Sequence, residues 1–356
     1  MEESAERFNR LMSNITKSLY NKELDEILKG VSRSFYLTLR SLPEQVRPQI
    51  SVAYLIARIA DTIADTEAIP LEERIQTLIA FREKVDGTIN KDGETLLSRF
   101  LTAEKFNCSP SETLLLQSTD KIIRTMHSFE DSDIDLICLV IKRITRGQEL
   151  DLRRFSDARD GKIVALNTED ELDEYTYLVA GCVGEFWTKI CINHLFTFQQ
   201  KDEQAIINNG IKYGKGLQLI NILRDLPRDL KIGRCYLPVE TLKTEKLHPE
   251  DLLNPENEPK VRPIYNNYIA KARGYLVSGA EYIRTIPRTY AKLRIATALP
   301  LLIGIKTLNK LTEERILNPE IKVKISRFEV WKTVVMSVLM YPFENIFSRM
   351  LNSGEI

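Results

Sequence analysis

No CxxC pair occurs among the five cysteines, at positions 108, 138, 182, 191 and 235, and their spacing gives neither a zinc ribbon nor an even disulfide framework. They read as reduced, small apolar residues of a cytoplasmic, non-secreted protein. Only three histidines are present, His127, His194 and His248, and with no ligand spacing between them each reads as a packing or surface residue. Neither sign of charge is in excess: 50 basic residues balance 50 acidic ones. That excludes an overall electrostatic case for nucleic acid and confines any anion site to a local cluster. Long apolar runs are missing too. The longest uncharged stretches, between Arg294 and Lys306 and between Lys332 and Glu344, fall short of the ~18 to 20 residues that span a bilayer, so no transmembrane segment is expected. The acidic start, Met-Glu-Glu-Ser-Ala-Glu-Arg, lacks the apolar core of a signal peptide. No GxGxxG element follows a strand pattern, which excludes a Rossmann nicotinamide site but not one of another kind.

What is present is helical periodicity. Apolar stripes run over about residues 46–65, 70–85, 111–127, 134–149, 171–196, 203–226, 264–285, 289–311 and 327–350, with glycine and proline mainly where helices would end. The expectation is an all-α protein. With 356 residues and 43% hydrophobic content it can bury a substantial core, read here as a single domain over 1–356. The polar, proline-bearing stretch Leu247–Pro263 is the best candidate linker.

Two carboxylate pairs carry the chemistry. Asp61 and Asp65 lie four residues apart in Tyr54-Leu-Ile-Ala-Arg58-Ile-Ala-Asp61-Thr-Ile-Ala-Asp65, and Asp225 and Asp229 in Asn221-Ile-Leu-Arg-Asp225-Leu-Pro-Arg-Asp229. On a helix such pairs share one face, and like charges among apolar neighbours are costly unless a cation sits between them. Spacing alone decides nothing: Asp131 and Asp135 share it inside a polar stretch that reads as a solvated loop or helix start. The other two pairs differ in their company, Tyr54 and Arg58 beside the first and Gln218 and Asn221 beside the second. Pro227, inside the second pair, predicts either a kink or a helix ending near Arg224 with a new one opening at the proline.

Magnesium prefers oxygen ligands, keeps several waters and is often completed by substrate phosphates. Two such pairs on opposing walls of a helical cavity therefore suggest a diphosphate substrate. Arg33, Arg58, Arg224, Arg228, Lys231 and Arg234 flank the pairs as phosphate-neutralising cations. The rest of each stripe is apolar, which suits a greasy ligand. Phe35, Tyr36, Tyr54, Tyr175 and Tyr177 offer aromatic faces for a carbocation, or serve as ordinary packing residues.

Ser32-Arg33-Ser34-Phe35, the Tyr54–Asp65 segment, Tyr175-Thr-Tyr177-Leu-Val-Ala-Gly181-Cys-Val-Gly184, the run from Gln218 through Tyr236 to Pro238, and the C-terminal run Leu299–Leu308 with Lys322–Arg327 together resemble the squalene and phytoene synthases. The resemblance covers roughly residues 25–335. It implies the isoprenoid (terpenoid) synthase fold, one helical domain around a central cavity, and head-to-head condensation of two prenyl diphosphates. By position, Asp61, Asp65, Asp225, Asp229 and Asn221 match magnesium-binding residues. Ser32, Ser34, Phe35, Tyr54, Arg58 and Gln218 match residues lining the substrate sites, and Arg33, Tyr175, Arg224, Arg228, Arg234 and Tyr236 are grouped with them. Tyr177 matches a tyrosine near the reacting carbons and is counted catalytic with the four aspartates.

In that family one prenyl diphosphate ionises, the double bond of the second attacks the allylic cation, and proton loss leaves a cyclopropylcarbinyl diphosphate such as presqualene diphosphate. A second ionisation and rearrangement follow, ended in squalene synthases by hydride from NADPH and in phytoene and dehydrosqualene synthases by proton loss. The length and C-terminal run look most like bacterial squalene synthases, farnesyl diphosphate farnesyltransferases. Leu178 stands where animal and fungal squalene synthases have a tyrosine, and Tyr175 with Tyr177 follows the phytoene-synthase pattern. The expectations are Mg2+, NADPH, farnesyl diphosphate as substrate, a monomer, and peripheral membrane contact through Arg284, Arg288 and Lys292 as the alternative to a solvated face. The competing readings are a synthase without the reductive step and a non-catalytic helical binding protein.

Overall fold

The computed structural model describes residues 22–32, 35–102 and 108–354. Arg33 and Ser34 lie outside the described residues, and of Phe35 only the backbone, which opens a helix, is described. The described residues are mostly helical, with two strands of two residues each, as the periodicity predicts, and the chain divides into two compact units.

The first unit holds Met1–Glu149 and Lys189–Leu195. Its described helices are α1 (Lys22–Ser32), α2 (Phe35–Ser41), α3 (Arg47–Asp65), α4 (Leu71–Val85), α5 (Lys91–Leu101), α6 (Pro110–Gln117), α7 (Thr119–Met126) and most of α8 (Asp131–Arg154). Helix α3 is its core element: Leu55, Ile56, Ile59, Ala60 and Ile63 are fully buried. Tyr54, Arg58, Asp61 and Asp65 occupy the face left partly open, so the polar stripe of the sequence is a physical stripe. Helix α6 starts on a capping box, in which Ser109 and Glu112 each accept from the other's backbone N–H, with Pro110 at the first position. Asp131, at the start of α8, and Asp135 are exposed. The same helix carries the buried Asp133, which accepts from Gln49 at 3.0 Å and pairs with His194 at 2.8 Å. That carboxylate pushes the imidazole pKa up, so His194 is a structural partner of a buried acid.

The second unit holds Leu150–Thr188 and Phe196–Ile356. It contains β1 (Val164–Ala165), α9 (Glu169–Thr176), a π turn (Tyr177–Gly181), most of α10 (Cys182–His194) and the long α11 (Gln200–Lys231). Then come β2 (Arg234–Cys235), α12 (Val239–Thr244), α13 (Glu258–Thr285), α14 (Ala291–Glu313), α15 (Arg327–Met340) and α16 (Glu344–Ser353). Helix α11 packs along α13, α14 and the π turn. Glycines set its close approach to α10 and to the π turn: a Cβ on Gly184 in α10 would lie 2.0 Å from the Gly210 carbonyl oxygen, and one on Gly214 2.3 Å from that of Ala180 in the π turn. The two strands form one short parallel pair, Val164 opposite Arg234. Gly233 precedes β2 at φ +81°, a left-handed conformation that suits glycine.

Several boundaries differ from the periodicity. The stripe over 171–196 is two helices joined by the π turn, and that over 327–350 breaks near Tyr341. The expected linker is two short 3₁₀ segments, Pro249–Leu253 and Pro255–Asn257, followed directly by the first turns of α13, with Pro263 inside the helix. Helix α11 does not end near Arg224 but continues through Pro227 to Lys231. Proline has no N–H to give the carbonyl four residues back, which is that of Leu223. The hydroxyl of the fully buried Tyr265, on α13, donates to that oxygen at 3.0 Å. A tertiary hydrogen bond thus replaces the helical one.

The expected basic face is not one helical face. Ile286–Tyr290 separates α13 from α14, and Tyr282 and Leu293 are buried. Arg284 donates to Asn352 at 2.6 Å, and Arg288 pairs with Glu344 at 3.2 Å. These cations hold down α16.

Candidate active site

In the first unit, Asp61 accepts from the amide of Gln148 at 2.7 Å and lies 3.6 Å from the Arg58 guanidinium. The other end of Arg58 donates to Glu112 at 2.9 Å, so a residue of the α6 capping box holds it in place. The Asp61 side chain keeps 46% of its accessible area, yet surrounding protein pushes its carboxyl up to about 6, with Asp65 adding to the shift and Arg58 opposing it. It is recessed but still open to water. Asp65 is exposed. Tyr54 donates to the Val31 carbonyl at 3.4 Å, and the Ser32 hydroxyl donates back into its own helix, to Leu28. Tyr36 donates to Asp25 at 2.8 Å.

In the second unit, Asn221, Asp225 and Asp229 follow one another at four-residue steps along the unbroken α11. Arg224 binds Asp225 through two nitrogens, at 2.9 and 2.7 Å, and Asn221 donates to Gln218 at 3.4 Å. Asp229 is pushed up to about 7, mostly by burial and then by Asp225, with Arg228 and Arg234 opposing. Arg228 itself is exposed. Beside them Asp151 accepts from Arg234 at 2.9 Å and from the Tyr236 hydroxyl at 2.7 Å. The Tyr236 ring stacks on Tyr175 with centroids 5.0 Å apart, and burial pushes both phenols above their ordinary range. Tyr177 opens the π turn and donates to Glu185 at 3.0 Å. Such turns interrupt helices at functional sites, because the extra residue re-aims the side chains around it.

The sequence reading missed Gln148, Asp151, Glu112 and Glu185. Gln148, Asp151 and Glu112 are fixed to motif residues 87, 83 and 54 positions away, contacts that no short spacing encodes; the one hint was a polar run, Gln148-Glu149-Leu150-Asp151, closing an apolar helix. Glu185 is a local partner, eight residues after Tyr177 and just past the Tyr175–Gly184 motif.

The donor set suits a hard divalent cation. Each pair brings carboxylates that burial leaves under-neutralised, a cost that a cation would relieve. Among the described residues no three His, Cys, Asp or Glu side chains converge on one point. Two carboxylates per group would leave coordination positions for water and phosphate oxygens. A stability consequence follows. An acid whose folded pKa lies above its ordinary 3.8 keeps its proton to higher pH in the folded chain. Between about pH 4 and 7 the folded state therefore binds more protons, and stability falls as pH rises through that window. Without divalent ions, wild type should lose more melting temperature between pH 5 and pH 8 than Asp229→Asn, by a few degrees in calorimetry. Parallel curves would contradict this.

All-α architecture, two aspartate pairs at helical spacing and a π turn packed on the helix that carries the second define a class of protein, and the comparisons identify it. The family profile described as squalene/phytoene synthase matches residues 28–329. The chain belongs to that family, whose members are prenyltransferases catalysing head-to-head prenyl condensation. It is 28% identical over 260 residues to a bifunctional lycopene cyclase/phytoene synthase of Colletotrichum graminicola, covering 72% of this chain and 41% of that protein. It is 26% identical over 267 residues to a squalene synthase of Saccharomyces cerevisiae, covering 73% and 55%. The chain thus spans about half the length of these curated relatives. A squalene synthase solved with the ligand E5700 superposes with a TM-score of 0.71 at 20% identity, covering 92% of this chain and 91% of that one. A dehydrosqualene synthase solved with a ligand gives 0.60 at 19% identity, covering 93% and 99%. These likenesses establish the all-α squalene synthase fold.

Proposed function

We propose that this chain is a magnesium-dependent prenyltransferase that joins two farnesyl diphosphates head to head, through presqualene diphosphate, to squalene, with NADPH as the reductant. The observation that carries the reading is the pair of aspartate couples, each with one carboxyl raised by its surroundings, Asp61 to about 6 and Asp229 to about 7. Asp61, Asp65, Asn221, Asp225 and Asp229 would hold magnesium, which when bound neutralises the departing diphosphate. Arg224 is engaged by Asp225 here; were that carboxylate taken by magnesium, its guanidinium would be available to a phosphate oxygen. Arg58, held by Glu112, and Arg234, held by Asp151, are charges fixed in advance rather than recruited during the reaction. The stacked Tyr175 and Tyr236 present ring faces that stabilise an allylic cation without capturing it. The Tyr177 hydroxyl donates to Glu185; on taking up a proton, the phenol oxygen would pass its own to that carboxylate, and the reverse transfer would return it.

A second reading, a phytoene or dehydrosqualene synthase, is supported by the phytoene synthases among the relatives and by the Tyr175–Tyr177 pattern. Incubation with farnesyl diphosphate and magnesium, with and without NADPH, separates the two. Squalene that appears only with NADPH supports the first, and dehydrosqualene under both conditions supports the second. Turnover of geranylgeranyl diphosphate alone would sink the squalene reading.

A further inference from the structure

Helix α15, in the second unit, has its polarity inverted. Its inward side carries the buried Thr333 and Ser337, while Phe328, Trp331, Val338 and Leu339 are 69%, 61%, 53% and 55% exposed. At about 100° per residue these outward residues fall on one arc of the helix, with Arg327 at one edge and Lys332 at the other. The rings of Phe328 and Trp331 stack on each other, centroids 6.2 Å apart. A helix that faces water normally does the opposite, since apolar side chains gain by leaving water.

Charge indicates what covers the face. From Lys322 to Lys332 the chain has four exposed cations, Lys322, Lys324, Arg327 and Lys332. The one acid there, Glu329, is already bound to Ser326 and to Lys310 at 3.1 Å. On the Lys332 side a groove of about 460 Å³ between α14, α15 and α16 adds Lys306 and Lys310 to its lining, again with Glu329 as the only acid. Apolar aromatics bordered by cations match an anionic lipid surface, where rings enter the headgroup boundary and lysine or arginine stays with the phosphates. No helix among the described residues is long and apolar enough to cross a membrane, so the helix would lie in the interface.

We propose that α15 docks this protein flat on an anionic phospholipid surface, through Phe328, Trp331, Val338 and Leu339, with Arg327 and Lys332 on the lipid phosphates. This inference is independent of the reaction assigned above.

The chain has two tryptophans, so Trp187→Phe leaves Trp331 as the only tryptophan, whose emission is read by exciting beyond the tyrosine absorption. That protein should sediment with phosphatidylglycerol-containing vesicles and shift its emission to the blue. Acyl-chain-brominated lipid should quench it, and binding to pure phosphatidylcholine should be about ten-fold weaker or less. Phe328→Ser, and separately the double change Arg327→Glu with Lys332→Glu, should each weaken binding about ten-fold or more while thermal unfolding stays unchanged. Failure to bind anionic vesicles, or binding without an emission shift, would overturn the proposal. So would a lipid-free dimer that Phe328→Ser dissolves, since a second copy would then cover the face.

Discussion

Asp61→Asn and Asp225→Asn are each expected to lower the rate of condensation by at least ~10²-fold, the scale seen when a preorganised electrostatic contact to a developing charge is removed. Asparagine keeps the volume and one oxygen but gives up the negative charge. In the first unit the change leaves Gln148 a partner and removes one of the two carboxylates beside Arg58, with Glu112 remaining. In the second it costs Arg224 one of its two acceptors and the charge that held it. Neither loss should unfold the protein, because Asp61 and Asp225 belong to partly open faces. If the pairs serve one reaction, the double variant should be little worse than the poorer single one, as residues that act together are not additive. A non-catalytic binding protein with this fold would instead keep its function in all three variants. Circular dichroism on the same preparations separates lost chemistry from lost structure.

The second large effect is on stability. Gly184→Ala places a methyl group 2.0 Å from the Gly210 carbonyl oxygen, where both partners are backbone and cannot swing aside. Overpacking of flexible side chains costs about 1–3 kcal/mol, and a clash between two helix backbones should lie at or above the top of that range. A melting temperature lowered by several degrees is expected. Gly274→Ala is the internal comparison, since an added Cβ there meets nothing within 4 Å. Equal melting temperatures for the two variants would show that α10 and α11 can separate freely, against the close packing described.

How much of this was legible beforehand depended on where the information lies. The stripe of Tyr54, Arg58, Asp61 and Asp65 could be read because α3 from Val52 onward is otherwise apolar apart from Thr62, so these four stand out at helical spacing. The control pair Asp131/Asp135 could be set aside for the opposite reason, and both residues prove exposed. Pro227 could not be settled, since the feature that keeps α11 intact, the Tyr265 hydroxyl on the Leu223 carbonyl, comes from a helix some forty residues further on. Asp151 was invisible for the same reason: its bonds reach Arg234 and Tyr236, 83 and 85 residues away. The membrane expectation rested on Arg284, Arg288 and Lys292 beside Tyr282 and Leu293; Arg284 and Arg288 bind α16, and the two apolar residues are buried. The inverted face of α15 needed burial to be seen, because Thr333 and Ser337 look like outward residues in sequence.

The central claim is that both aspartate pairs hold magnesium and diphosphate for one reaction. Calorimetric titration of inorganic pyrophosphate into wild type, Asp61→Asn and Asp225→Asn, with and without magnesium, tests it without relying on turnover. Binding to wild type that requires magnesium, and that weakens at least ~10-fold in either variant, is the predicted result. Pyrophosphate binding that needs no magnesium, or that survives both substitutions, would contradict it.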